Sequence, residues 1–130
     1  MKHWEKGYDD PVSEADHAVD EFLRKKLLES RPQYGWLSEE TEDDLKRLNC
    51  CDIWIVDPID GTRSFIQQRA EFTVCAALVR DGRPVAAAVY NPAKQEFFDA
   101  VQGGGALVVW CPVYESYRGA RVESSSRVAE

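Results

Sequence analysis

Three turn signals in the second half of the chain restrict its fold more than any other feature. Phe72 to Val79 and Pro84 to Tyr90 are β-rich and are joined through Arg80-Asp81-Gly82-Arg83. Asp-Gly between two such runs favours a tight hairpin, because both residues accept the left-handed backbone that the turn requires. Asn91-Pro92-Ala93-Lys94 marks a second reversal, before a strand at Gln95 to Val101. Gln102-Gly103-Gly104-Gly105 marks a third, before a strand at Ala106 to Trp110. The glycine run reads as a hairpin turn rather than a phosphate loop, since no helical pattern follows it. Connections this short place consecutive strands side by side and antiparallel.

The first half reads differently. Pro11 to Arg31 is an amphipathic helix, with Ser13 as N-cap and Glu14 and Asp16 in the favourable first turn. Ala15, Ala18, Val19, Phe22, Leu23 and Leu27 form its apolar stripe, and Pro32 stops it. Tyr34 to Ser38 is a short strand, Thr41 to Leu48 an exposed helical turn, Asp52 to Val56 a buried strand and Arg63 to Gln67 a short helix. A helix followed by a strand meander predicts an α+β fold, an antiparallel sheet with packed helices.

At 130 residues, 44% apolar and 30% charged, the chain is one globular domain with room for a core. A net charge of −7 argues against a nucleic-acid polymer or an anionic membrane as partner. No run is apolar enough to span a bilayer, and Met1-Lys2-His3-Trp4-Glu5-Lys6 lacks a signal-peptide core, so a cytoplasmic protein is expected. Cys50, Cys51, Cys75 and Cys111 show no zinc spacing and are expected to be reduced.

The chemistry is concentrated in Trp54-Ile55-Val56-Asp57-Pro58-Ile59-Asp60-Gly61-Thr62. An apolar strand ends there in two carboxylates three residues apart, followed by a glycine and a hydroxyl. Carboxylates bind hard cations, and free N–H groups at a helix start bind phosphate oxygens. Asp57 and Asp60, across one tight turn, can point into the same pocket, with the carbonyl of Ile59 between them. An Asp-Pro turn with a left-handed Asp60-Gly61 explains each residue singly, but not an acid at the end of a buried strand. Glu39 and Glu40 follow the apolar Gly35-Trp36-Leu37 and read equally as ligands or as part of a solvated acidic run. Thr62 offers a hydroxyl near the acids or a helix-start residue. Asp16 reads first as a helix-dipole acid and second as a partner for Thr62.

Leu37-Ser38-Glu39-Glu40, Trp54 through Thr62 and Glu71-Phe72-Thr73-Val74 resemble the inositol monophosphatase superfamily, and Pro11 to Asp16 fits the same pattern. The resemblance runs from about Trp4 to Gly105. Its Ser-Glu-Glu and Glu-Phe-Thr-Val forms look most similar to the 3′(2′),5′-bisphosphate nucleotidase branch. The resemblance implies the N-terminal, antiparallel-sheet half of a layered α/β sandwich. It also implies Mg2+-dependent hydrolysis of a small phosphorylated metabolite by two-metal water activation. Glu39, Asp57, the Ile59 carbonyl and Asp60 would be the metal ligands, Thr62 with Asp16 would position the water, and the N–H groups of Gly61 and Thr62 would hold the phosphate. A homodimer is a further implied partner.

The family adds an aspartate from a Trp-Asp segment in a second half, whereas here Trp110 precedes Cys111 and no Asp follows Asp99. The expected organisation is a half-domain at residues 1–110 and a divergent, weakly ordered tail at 111–130, as in a truncated or frame-shifted gene. An impaired remnant or interaction module that keeps a partial metal site is the alternative to an active phosphatase.

Overall fold

The computed structural model describes residues 2–7, 10–110 and 125–128. The chain opens with a hairpin, β1 (His3–Gly7) and β2 (Asp10–Ser13), and then α1 (Glu14–Ser30). Next come β3 (Gly35–Ser38), a 3-10 turn (Lys46–Asn49), β4 (Asp52–Asp60) and α2 (Thr62–Ile66). β5 (Thr73–Arg80), β6 (Arg83–Asn91), β7 (Glu96–Val101), β8 (Gly105–Trp110) and β9 (Ser125–Val128) follow. β3 to β9 form one seven-stranded sheet in sequence order, and β1 pairs with β2 in a separate ribbon.

From β4 onward every neighbouring pair is antiparallel, as the turn signals require. At the β5–β6 hairpin Asp81 and Gly82 take φ of 50° and 79°, the two left-handed residues of a tight turn, and Arg80 pairs directly with Arg83. The sheet is nevertheless mixed, because β3 and β4 run parallel. The segment between them, which holds the 3-10 turn, is long enough to carry the chain back to the starting end of the sheet. Of the stretch read as a tail, only 125–128 is described, as β9 on β8. Residues 111–124 and 129–130, Cys111 among them, lie outside the described residues.

Three local expectations are corrected. The helix begins at Glu14, not Pro11, because Pro11 and Val12 pair with β1 and the Ser13 cap ends that strand. β4 does not stop at Val56 but continues through Pro58 to Asp60. Pro58 has no N–H to give the ladder, and the register shifts there: Asp57 faces Cys75 and Asp60 faces Thr73. The third correction concerns α1, whose buried residues are Asp16 and Asp20, while Phe22 in the expected apolar stripe is 60% exposed.

That polar inner face reflects where the core lies. Among the described residues the buried apolar side chains are Trp36, Val56 and Ile59, joined by Pro58. The buried polar ones are Ser13, Asp16, Asp20, Ser38 and Asn91. The best-protected region is therefore the junction of α1 with β3 and β4. Most side chains described on β5 to β8 are only half-buried. No helix among the described residues is long and apolar enough to cross a membrane.

Candidate active site

Pro58 aims the acids. In a regular strand, residues three apart point to opposite faces. The shift between Asp57 and Asp60 sets three steps along β4 against two along β5, which cancels that alternation. Asp60 consequently acts on Asp57 as a near neighbour. One oxygen of Asp57, Oδ1, is buried and has no hydrogen-bond partner. Burial above all, then the carboxylates of Glu39, Asp60, Glu40 and Asp16, push the Asp57 carboxyl up to about 6. Cys75, opposite Asp57, has its thiol raised chiefly by burial, and its Sγ lies 3.3 Å from Thr73 Oγ1.

Asp16 is fully buried, and both of its oxygens are engaged. Oδ2 accepts from the Ser13 N–H at 2.9 Å and from the Ser13 hydroxyl at 2.5 Å, forming a capping box with the Ser13 cap. Oδ1 accepts from Thr62 Oγ1 at 2.8 Å, a contact across 46 residues of sequence. The same hydroxyl lies 3.1 Å from the Ile59 carbonyl oxygen. Thr62 has one hydroxyl proton, and the carboxylate is the stronger acceptor, so the proton is drawn to Asp16. Lone pairs on Oγ1 are left to accept from another donor.

Gly61 makes the junction of β4 and α2 feasible. Its φ is +91°, and a Cβ there would lie 2.6 Å from the Glu71 carbonyl oxygen and 3.3 Å from Phe72 Cα. The first hydrogen bond within α2 runs from Phe65 N–H to the Gly61 carbonyl, which leaves the Thr62 N–H ahead of the helical ladder. Glu39 is exposed beyond β3, and its N–H donates to the Val56 carbonyl at 3.4 Å. Thus Asp16, Asp57, Ile59 and Thr62 meet at one end of the sheet, with Glu39 and Asp60 on its open side. Among the described residues no three carboxylate, imidazole or thiol side chains converge closely enough to enclose an ion.

Sequence reasoning passed over Asp20, whose two oxygens accept from the hydroxyls of Ser38 and Thr41, residues on either side of Glu39 in sequence. The available signal was the four-residue spacing from Asp16, which puts Asp20 on the same helix face. A surface depression of about 360 Å3 beside the acids is lined by Asp60, Gly61, Glu71, Thr73, Asn91 and Lys94. A larger one, about 510 Å3, lies against α2 among Phe65, Ile66, Phe72 and Ala93 and is bordered by no acid.

A mixed sheet with two helices, its α1 joined to the end of β4 through the Asp16–Thr62 contact, is the arrangement of an α+β sandwich. Residues 1–128 match the family model described as the inositol monophosphatase family, and the chain belongs to that family. It is 43% identical over 103 residues to an inositol-1-monophosphatase of Rhizobium meliloti, covering 79% of this chain and 38% of that protein. It is 39% identical over 102 residues to the 3′(2′),5′-bisphosphate nucleotidase CysQ of Aggregatibacter actinomycetemcomitans, covering 74% of this chain and 36% of that protein. Among solved structures, an IMPase/NADP phosphatase complexed with Mg2+ and phosphate superposes with a TM-score of 0.76 at 25% identity, over 83% of this chain and 41% of that one. The chain thus spans about two fifths of the length of these relatives. Both substrate branches are represented at similar identity.

Proposed function

We propose that the chain carries the cation-binding and water-orienting part of a Mg2+-dependent phosphomonoesterase. Its substrate would be a small phosphorylated metabolite, an inositol phosphate or a 3′(2′),5′-bisphosphate nucleotide. The observation that carries this reading is Asp57 Oδ1, buried, unpartnered and surrounded by like charge. Leaving such an oxygen unsatisfied costs about 1–3 kcal/mol, and more when it is charged. A divalent cation removes both penalties at once. Asp57, Asp60, Glu39 and the Ile59 carbonyl oxygen are hard donors of the kind Mg2+ accepts and would hold it. When bound, the metal neutralises phosphate charge and makes water more acidic.

The remaining roles belong to groups already in contact. Asp16 accepts the hydrogen bond of the Thr62 hydroxyl, which leaves the Oγ1 lone pairs to orient the attacking water for in-line displacement. The N–H groups of Gly61 and Thr62 would receive a phosphate oxygen at the start of α2. The depression beside Asp60 offers room for the rest of a metabolite. We place the protein in the cytoplasm, with a homodimer as its assembly and no nucleic-acid polymer or membrane as partner.

The test is phosphate release from inositol 1-phosphate and from adenosine 3′,5′-bisphosphate at millimolar Mg2+, with and without Asp60→Asn. Release that the substitution abolishes supports the reading, and no release from the wild-type chain overturns independent activity. The open grouping of the acids favours a second reading, a partial site that binds cation without turnover. Calorimetric uptake of Mn2+ without phosphate release would select it.

A further inference from the structure

We propose that Asp20 is a positioning residue for this cation site, holding through Ser38 and Thr41 the segment that presents Glu39. The proposal rests on reading Glu39, Asp57 and Asp60 as cation ligands. Asp20 lies one helical turn after Asp16 and is only 6% exposed, whereas Glu14, Glu21 and Glu29 of the same helix are exposed. Burying a carboxylate is costly unless its oxygens are satisfied, and here both are. Oδ1 accepts from the Ser38 hydroxyl and Oδ2 from the Thr41 hydroxyl.

The polarity of this network is fixed by its outer members. Ser38 Oγ accepts from the Glu40 N–H at 3.2 Å, and Thr41 Oγ1 accepts from the Trp36 indole N–H at 3.3 Å. An N–H can only donate, so each hydroxyl proton must point at Asp20, which as a carboxylate can only accept. With Glu39 N–H on the Val56 carbonyl, the 38–41 segment is tied to α1 at two points and to β4 at a third. Glu39 sits inside those ties, beside the residue that precedes Asp57. α1 therefore works as a two-toothed clasp. Asp16 holds the Thr62 side of the site and Asp20 holds the Glu39 side.

The experiment titrates the full chain with Mn2+ and Mg2+ by calorimetry and follows amide hydrogen exchange in parallel. Asp20→Asn keeps the side chain's shape but cannot accept both hydroxyls at full charge. It is expected to weaken cation affinity about 10–100-fold, the usual effect of losing a partner behind a ligand. Exchange should rise at the Glu39 and Glu40 amides and stay unchanged at Thr62. Thr41→Val should weaken affinity in the same direction, and Thr41→Ser should restore most of what Thr41→Val loses. Should Asp20→Asn not fold, the Thr41 pair decides by the same criterion. Wild-type affinity in folded Asp20→Asn, or in Thr41→Val, overturns the proposal. No cation uptake by the wild-type chain overturns the ligand assignment itself, and that outcome is distinct because it appears before any substitution is made.

Discussion

Gly61→Ala isolates the steric demand at the centre of the site. Gly61 and Gly82 have similar positive φ, +91° and +79°, so alanine meets a similar left-handed penalty at each, about 1–2 kcal/mol. Their surroundings differ. A Cβ at Gly82 meets nothing within 4 Å, whereas at Gly61 it would lie 2.6 Å from the Glu71 carbonyl oxygen and 3.3 Å from Phe72 Cα. Both obstacles are backbone atoms and cannot rotate away. Relieving such a contact by moving the main chain costs about 1–3 kcal/mol more. Gly61→Ala should therefore destabilise by about 2–5 kcal/mol and exceed Gly82→Ala by about 1–3 kcal/mol, a large part of the 5–15 kcal/mol typical of a domain. Urea unfolding followed by tryptophan fluorescence measures the difference. The movement that relieves the clash displaces Asp60 and Thr62, which flank Gly61, so cation affinity should fall in the molecules that still fold. Equal destabilisation by the two substitutions would refute the close approach of Glu71.

The Asp57 carboxyl, raised from an ordinary 3.8 to about 6, links stability to pH in the cation-free protein. A raised folded-state value means a contribution fully present below about pH 4 and lost as pH climbs through 6. A shift of about two units is worth roughly 3 kcal/mol, and solvent screening of a half-exposed group reduces this to about 1–2 kcal/mol. In chelator at pH 7.5, Asp57→Asn should be more stable than wild type by that amount and should flatten the profile between pH 4 and 7. Parallel unfolding curves for the two proteins across that range would refute it. Thr62→Val should lower any phosphate release about 10²–10⁴-fold, the range for a group that handles the reacting proton. Thr62→Ser should retain most of it, and comparable loss in both variants would remove the hydroxyl from the mechanism.

The strand meander was legible because turn chemistry is local. Asp81-Gly82 specifies a hairpin whatever else the chain does, and the structure puts both residues at positive φ. Elements whose state depends on distant partners were harder to read. Pro11 and Val12 look like a helix start until β1 is available to pair with them. Pro58 looks like a strand end because a proline interrupts a ladder, yet here the bulge absorbs the interruption and β4 goes on. The parallel pairing of β3 with β4 had no local signal. The same contrast holds in the candidate site. Asp57, Asp60 and Thr62 fall in one run and could be named from the sequence alone, whereas the Thr62–Asp16 contact spans 46 residues, and Asp16 read first as a helix-dipole acid and only second as a partner for Thr62.

The misread face of α1 shows how hydrogen-bond saturation separates the acids that hold this site from those available to a ligand. Hydropathy assigned that face to Phe22, Leu23 and Leu27, yet its buried residues are carboxylates. Asp16 and Asp20 are buried without an unsatisfied oxygen, because hydroxyls from Ser13, Thr62, Ser38 and Thr41 take up their lone pairs. Each is thereby fixed in orientation and has little capacity left for an ion. Asp57 is the opposite case, half-buried with one oxygen enclosed and unpartnered. A fold that supplies hydroxyls to two neighbouring aspartates and none to a third leaves that third one poised for a partner from outside the chain. On the reading proposed above, the repulsion from Glu39, Glu40, Asp60 and Asp16 sets that partner's sign, since positive charge lowers the energy of all five together.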